Sequence, residues 1–404
     1  MKKIARKCMQ VAVGLSAISC GISEIGGPGK QDINDVWTAP SSGIPSTSHS
    51  RTYVTAFDYP EGYDWRHNPE KGSVRCSLIV FSDSKPVMKV PVGDAYLVSD
   101  DPDMHRVING HLYTDFATDS ETVIKKDGKP FISYEGREAI VTALVKNDSL
   151  YTLGQKRNGK GFSYRINGRV VLERESGYVF GRLTELQDDV CFAFAEPVGS
   201  SESGSERYYS FRKGSVSQVA LREDVRKVWD VCFHQGKVSC LATLTGISEP
   251  VIISESRLDA LSMPYGSTIV SGQFFSAGNI LGIEMILESG SDFFSAMWLQ
   301  NTLFQKFAAG LTVSSIWSGA DGFACVLNSD SPAVGGTIFR MGERYEVPLG
   351  FCCLGGAPVD VADGILTVGL SSVTGKKPLL WKDGKTEELD VNGYICTVSS
   401  VPGK

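Results

Sequence analysis

No Gly-x-Ser-x-Gly elbow, His-Glu-x-x-His pair, phosphate-cradling glycine loop or EF-hand calcium loop occurs anywhere in the 404 residues. Each of those spacings exists because a nucleophile, a metal or a phosphate needs particular groups on one turn or one helix face. Without them the best-defined hydrolase, metalloprotease and nucleotide-binding classes lose their support. Histidine is scarce, at five residues, and the ten cysteines include no Cys-x-x-Cys, which leaves a zinc ribbon or a thioredoxin-like redox pair without its ligands. Lys and Arg form no run longer than a pair beyond the first ten residues, and 40 basic against 46 acidic residues give a net charge of -6. Nucleic acid needs a basic patch, so that partner class goes as well. Nothing calls for a cofactor. Helical periodicity is missing too: "LREDVRKVWD" at 221 to 230 is the nearest candidate, and at one or two turns it reads as a loop.

The chain opens with "MKKIARKCMQVAVGLSAISC", in which Lys2, Lys3, Arg6 and Lys7 precede a short apolar run from Cys8 to Ser19. That layout is a secretory signal, and the run is too short and interrupted for a permanent span, which takes about 20 apolar residues. Ending in "AISC", the segment resembles a bacterial lipoprotein signal, which implies that Cys20 becomes the acylated N-terminus. Ala17 stands where that family usually carries Leu, Val or Ile, and Ala17 with Ser19 also satisfies the small-x-small rule of ordinary cleavage, which would release a soluble secreted protein. The expected organisation is a signal over 1–19, a lipid-anchored tether rich in Gly, Ser and Pro over 20–51, and a folded body over 52–404. The membrane is met only through that anchor, on the periplasmic or outer side of an outer membrane.

From residue 52 the text changes to short aromatic and β-branched runs bounded by Gly, Asn and Asp, which is strand chemistry. Tight turns recur at Asp83-Ser84, Asp127-Gly128, Asn167-Gly168, Lys213-Gly214, near Arg257-Leu258, and at Asn301-Thr302, Gly342-Glu343 and Asp383-Gly384. A glycine opening a strand keeps the same time at Gly93, Gly136, Gly177, Gly266, Gly310, Gly350 and Gly393. A further turn falls between each such glycine and the next hairpin, as at Asn147-Asp148 and Asp363-Gly364. The period is about 43 residues and holds four strands, here lettered A to D from the axis outward, which is the signature of a β-propeller.

The first unit lacks an A strand because the tether precedes it. "GYICTV", after Gly393, is an A strand with no B to follow. The surplus fills the deficit: an all-β propeller of eight four-stranded blades is expected, closed by a C-terminal strand completing the first blade. Seven blades plus one degenerate unit is the alternative.

"WKDGK" at 381 to 385, with "IKKDGK" at 124 to 129 and "YRINGR" at 164 to 169, resembles repeats of uncharacterised surface lipoproteins of Bacteroidetes-type bacteria. In length, lipidation and blade count the chain also resembles the eight-bladed lipoprotein that assists outer-membrane barrel insertion. WD40 pairs do not recur, and Trp229, Trp298, Trp317 and Trp381 do not share the one blade position of quinoprotein propellers.

Antiparallel four-stranded units put the A–B and C–D hairpins on one side of the disc and the B–C and D–A connections on the other. The long connections 58–72, 196–207 and 328–336 share the second side. The first carries Tyr59, Tyr63, Trp65, Arg66 and His67, a set suited to protein contact or sugar stacking. The competing reading folds Tyr59 and Trp65 back as a plug over the channel. Asp100, Asp101, Asp103 and His105 cluster in "SDDPDMH", either as an oxygen-rich cation site or as ordinary Asp-Pro turn chemistry. Cys232 and Cys240 flank the Gln235-Gly236 turn; a bulged hairpin would let them bridge, and regular two-residue pairing would set Cys232 opposite Ser239. The function expected is an exported, non-catalytic scaffold binding a protein or glycan through the long-loop face. A propeller polysaccharide lyase or glycosidase, and an envelope assembly factor, are the alternatives.

Overall fold

A computed structural model describes residues 50–63, 76–91, 105–117, 120–156, 161–186, 189–198, 206–255, 257–319, 322–331, 334–354 and 357–401. The signal and nearly all of the tether, together with Trp65, Arg66, His67, Asp100, Asp101 and Asp103, lie outside them. The described residues are all strand, turn and loop, with no helix. They form eight antiparallel sheets of four strands each, and the A strands of two blades are split in two.

Blade one runs Gly393–Val401, Arg51–Asp58, Ser77–Ser82, Lys85–Pro91 from the axis outward. The C-terminal strand pairs antiparallel with the first strand from Arg51↔Val401 to Asp58↔Gly393, so the two ends of the body close one sheet. Thr55 and Thr397 both donate to the carbonyl oxygen of His105, Thr397 at 2.9 Å, and the joint is thereby tied to the entrance of blade two. Blade interiors pack face to face around clusters such as Val54, Ala56, Ile79, Leu380, Val391 and Ile395, which bridges blades eight and one.

The recurring Asp-Gly and Asn-Gly pairs have a definite job. Asp127 (φ 52°) and Gly128 (φ 77°) both take positive φ, as a type I′ hairpin turn demands. The Asp127 N–H donates to the Leu112 carbonyl at 2.8 Å, and its Oδ1 accepts the Leu112 N–H at 2.9 Å. Asn167 does the same with Leu150, at 2.8 Å each way, and Asp383 with Leu366, at 3.1 and 3.0 Å. The "DG" or "NG" of each phrase therefore latches its C–D hairpin onto the start of the B strand in the same blade, which makes the repeat a structural signature.

Several expectations need correction. Residues 221–224 are loop and turn, as expected, but 225–230 are not: Val225–His234 is the A strand of blade five, with Val228, Val231 and Phe233 buried. Arg226 and Lys227 are exposed while Val228 and the run Asp230 to Phe233 are buried, and bulges at Arg226 and Trp229 break the alternation that a sequence scan looks for. Three hairpin turns fall a residue or two early. They centre on Glu255, Gln300 and Met341, each at positive φ, because Arg257, Thr302 and Glu343 already begin strands. Blade two enters at Arg106–Ile108 and turns at Asn109-Gly110, a turn the sequence reading passed over; Gly93 lies outside the described residues. Cys232 faces Ser239, and both it and Cys240 are free thiols.

Outer edges are blunted as open sheets require. The D strands of blades one, two, three and six carry bulges at Val87, Phe131, Val171 and Phe304, and charged residues such as Lys129, Arg169 and Arg174 line them. A bulged, charged edge makes a poor template for a foreign strand.

Candidate functional site

On the long-connection side, the chain leaving blade one is held tightly. The Asn392 N–H donates to Asp58 Oδ1 at 3.1 Å, its Nδ2 donates to the Pro60 carbonyl at 2.8 Å, and its own carbonyl accepts the Tyr59 N–H at 2.9 Å. Tyr59 stacks on Tyr63 at 5.4 Å and on Tyr394 at 6.4 Å between ring centroids, and it joins the apolar cluster of Phe57, Leu78 and Cys396. Burial pushes its hydroxyl well above the usual tyrosine range. Of the five residues singled out in this loop, Tyr59 thus packs inward, Tyr63 covers it, and Trp65, Arg66 and His67 lie outside the described residues.

What the same side does present is a set of exposed apolar side chains. Ile247, Val334 and Val373 stand in the B–C connections of blades five, seven and eight, and Tyr265 and Leu349 in the D–A connections that follow blades five and seven. Tyr265 is fully exposed and Leu349 is 62% exposed. Among the described residues, the remaining exposed large apolar side chains are Ile365 at an A–B hairpin, Tyr178 at the start of an A strand, and Val87, Phe131, Val170 and Val171 on the outer D strands. Apolar exposure on the two disc faces is therefore concentrated on the connection side.

The second feature is the axial channel. Residues mostly from the innermost strands of six blades line an open cavity of about 450 Å³, with Arg106, Arg182, Cys232, Gln273, Ser314 and Ser318 on its wall. Arg106 Nη2 donates to the Ala143 carbonyl at 2.7 Å, and an Arg182 Nη lies 2.9 Å from Asp230 Oδ2. Burial raises the Cys232 thiol far above its ordinary value and keeps it protonated. Neither arginine was singled out in the sequence. Their only signal would have been a cation on or beside an innermost strand, which requires the strand letters first.

Buried titratable groups sit behind these surfaces. His105 packs edge-on to Phe57, and its Nε2 is 3.7 Å from Asp115 Oδ1. Burial lowers the imidazole to about 4 and raises the carboxyl to about 7. Glu284 accepts the Ser295 hydroxyl at 2.7 Å and the Gln273 amide at 3.2 Å, and burial raises it to about 7. Its folded value lies above the ordinary 4.5, so the stability it contributes is full below pH 4.5 and is lost as pH rises through about 7. Glu284→Gln is expected to remove that loss, making the variant more stable than the parent at pH 8 by about 3 kcal/mol and nearly equal at pH 4.5. Urea melts across that range decide it, and parallel pH profiles for the two chains would refute it.

No family model matches the chain, and no curated protein does. Among solved structures it is similar to dihydro-heme d1 dehydrogenase NirN in complex with DHE, at 10% identity and a TM-score of 0.46, over 90% of this chain and 76% of that one. It is similar as well to the β-propeller domain of the Trilobed protease from Pyrococcus furiosus, at 10% identity and a TM-score of 0.42, over 79% and 88%. A third is a quinonprotein alcohol dehydrogenase-like protein from Bacteroides thetaiotaomicron VPI-5482, at 13% and 0.39, over 88% and 90%. Chemistry does not travel at such distances, since one fold hosts many functions.

Proposed function

We propose that this chain is an exported, non-catalytic binding propeller that holds a protein or glycan ligand against its long-connection face, tethered to the outer membrane through an acylated Cys20. The observation that carries the reading is the placement of Ile247, Tyr265, Val334, Leu349 and Val373, exposed apolar side chains from five separate connections on one side of a rigid disc. Water gains nothing from such a set, and apolar groups gathered on one surface mark contact sites more often than isolated ones do. An exposed tyrosine between Pro264 and Gly266 offers a flat ring to a sugar or an anchor to a protein pocket.

The test is capture by the immobilised body from native envelope extract, with bound material identified as protein or glycan. Replacing Tyr265 by Ala and Leu349 by Ser is expected to weaken capture at least thirtyfold, since hot-spot truncations cost about 2 kcal/mol or more, while surface changes leave stability within about half a kcal/mol. A parallel Tyr63→Ala, Trp65→Ala, Arg66→Ala chain measures the share of the first-blade loop. Undiminished capture by both variants would sink the reading. The same extracts report the anchor: Cys20→Ala should leave the membrane fraction.

A further inference from the structure

We infer that the axial channel is a second, separate binding site, built for a small oxyanion-bearing molecule of about monosaccharide size. The chain carries a net -6, yet among the described residues the channel wall holds two guanidinium groups and no carboxylate; Asp230, which pairs with Arg182, and Glu284, which accepts from Gln273, are buried off the wall. Low-dielectric walls focus the field of such groups into the space between them, so a local reversal of sign acts on whatever enters.

Among the described residues, Arg106 supplies the charge that no carboxylate pairs. It opens the A strand Arg106–Ile108, and strand alternation sends it opposite to buried His105 and Val107. Its Nη2 is fixed by the Ala143 carbonyl at 2.7 Å, whereas among the described residues its buried Nε has no hydrogen-bond partner and no carboxylate pairs with the guanidinium. A buried charged donor left unmatched is costly, and such groups in native structures usually mark a site that something else completes.

Arg182 supplies direction. The A strand of blade four is interrupted between Tyr178–Val179 and Thr184–Leu186, and the interruption, with Gly181 at φ 72°, places Arg182 on the wall. Asp230 holds it at 2.9 Å, but that carboxylate also accepts the Val231 N–H at 2.9 Å and the Phe274 N–H at 2.7 Å. The Asp230 carboxylate is thus spread over three donors and steadies the guanidinium from behind, and the Arg182 side chain remains 34% exposed. A guanidinium fork matches the oxygen spacing of carboxylate and phosphate alike.

The rest of the wall suits a polyol. Ser318 offers a hydroxyl, Gln273 keeps its amide oxygen while its N–H donates to Glu284, Ser314 can still accept while it donates to the Val326 carbonyl, Phe274 and Ile316 supply apolar surface, and about 450 Å³ falls in the range of small-molecule pockets. The shared chemistry is an oxyanion on a hydroxylated frame. The carboxylate and phosphate forms are told apart by titration with glucuronate and glucose 6-phosphate, glucose being the neutral comparison.

Calorimetry on the full chain at low salt is expected to show one of the two anions binding, glucose at least tenfold weaker, and the affinity falling with added salt. Arg106→Gln should weaken the anion at least tenfold, Arg106→Lys less, and Arg182→Lys should lose affinity through the lost fork, with melting temperature recorded for each. Failure of both anions to bind the parental chain at about 10 mM, or equal affinity in a folded Arg106→Gln chain, overturns the inference. Envelope capture by the connection face is a separate measurement with separate variants, so either site can fail while the other stands.

Discussion

A chain ending at Asn392 is expected to lose cooperative unfolding at the parental temperature, because the strand Gly393–Val401 is the innermost member of blade one and nothing upstream replaces it. Its removal takes away buried Ile395, Cys396 and Val398 and strips the cover from Val54, Ala56 and Phe57 on the neighbouring strand. Each large apolar side chain taken out of burial costs roughly 1.5 to 3 kcal/mol. Several together approach the roughly 5 to 15 kcal/mol that keeps a domain folded.

Polar ties go as well. Ser371 Oγ loses the Ile395 N–H it accepts at 3.1 Å, and the His105 carbonyl loses the Thr397 hydroxyl at 2.9 Å. The strand Arg51–Asp58 then becomes a long open edge with an apolar face, the arrangement that invites pairing with another chain. Truncated protein should therefore melt lower and over a broader range, and aggregate at concentrations the parent tolerates. Thermal melts with light scattering decide it; a truncated chain melting with the parent would remove the ring-closing role.

That joint was legible in the sequence because it is an arithmetic feature: one unit lacks a strand and the end of the chain carries one too many. The hairpins with Asp-Gly and Asn-Gly were legible because those residues tolerate positive φ. Glu255, Gln300 and Met341 take that conformation instead as the first turn residue, and none of those residue types marks where the turn begins. The interrupted A strands of blades four and eight escaped for a related reason: at the break from Phe180 to Leu183, Phe180 packs on Tyr208 and Leu183 joins the cluster of Phe162 and Phe192, contacts with residues distant in the chain.

The site was less legible still. Tyr59 looks ligand-prone in the text, but it is placed by contacts with Tyr394 and Asn392, more than three hundred residues away in the chain. The channel takes its wall residues from six blades, so no local window contains the pattern. Periodic features are readable from one stretch at a time. A surface assembled across blades becomes readable only after the ring is known.

Glu138→Ala is expected to be among the costliest single substitutions, at about 3 to 5 kcal/mol, for a reason that also explains a glycine. Glu138 begins the A strand of blade three and is 4% exposed. Its Oε1 accepts Arg165 Nη2 at 2.9 Å, its Oε2 accepts the Ser163 hydroxyl at 2.7 Å, and the Arg165 guanidinium lies 3.9 Å over the Tyr134 ring in blade two. Gly154 on the next strand leaves the room for this pair: a Cβ there would overlap Glu138 Oε2. Removing the carboxylate strands a buried guanidinium whose remaining acceptors are neutral, the Gly168 carbonyl at 3.2 Å and Ser163 Oγ at 3.1 Å.

Desolvation of both ions offsets most of their attraction, so the intact pair is worth far less than the cost of breaking it. The double replacement Glu138→Leu, Arg165→Met should accordingly fall within about 2 kcal/mol of the parent and well above either single change. Denaturant melts of the four chains give the coupling directly. A Glu138→Ala chain that loses less than about 1 kcal/mol, the range of an exposed pair, would place Arg165 in water and end the argument.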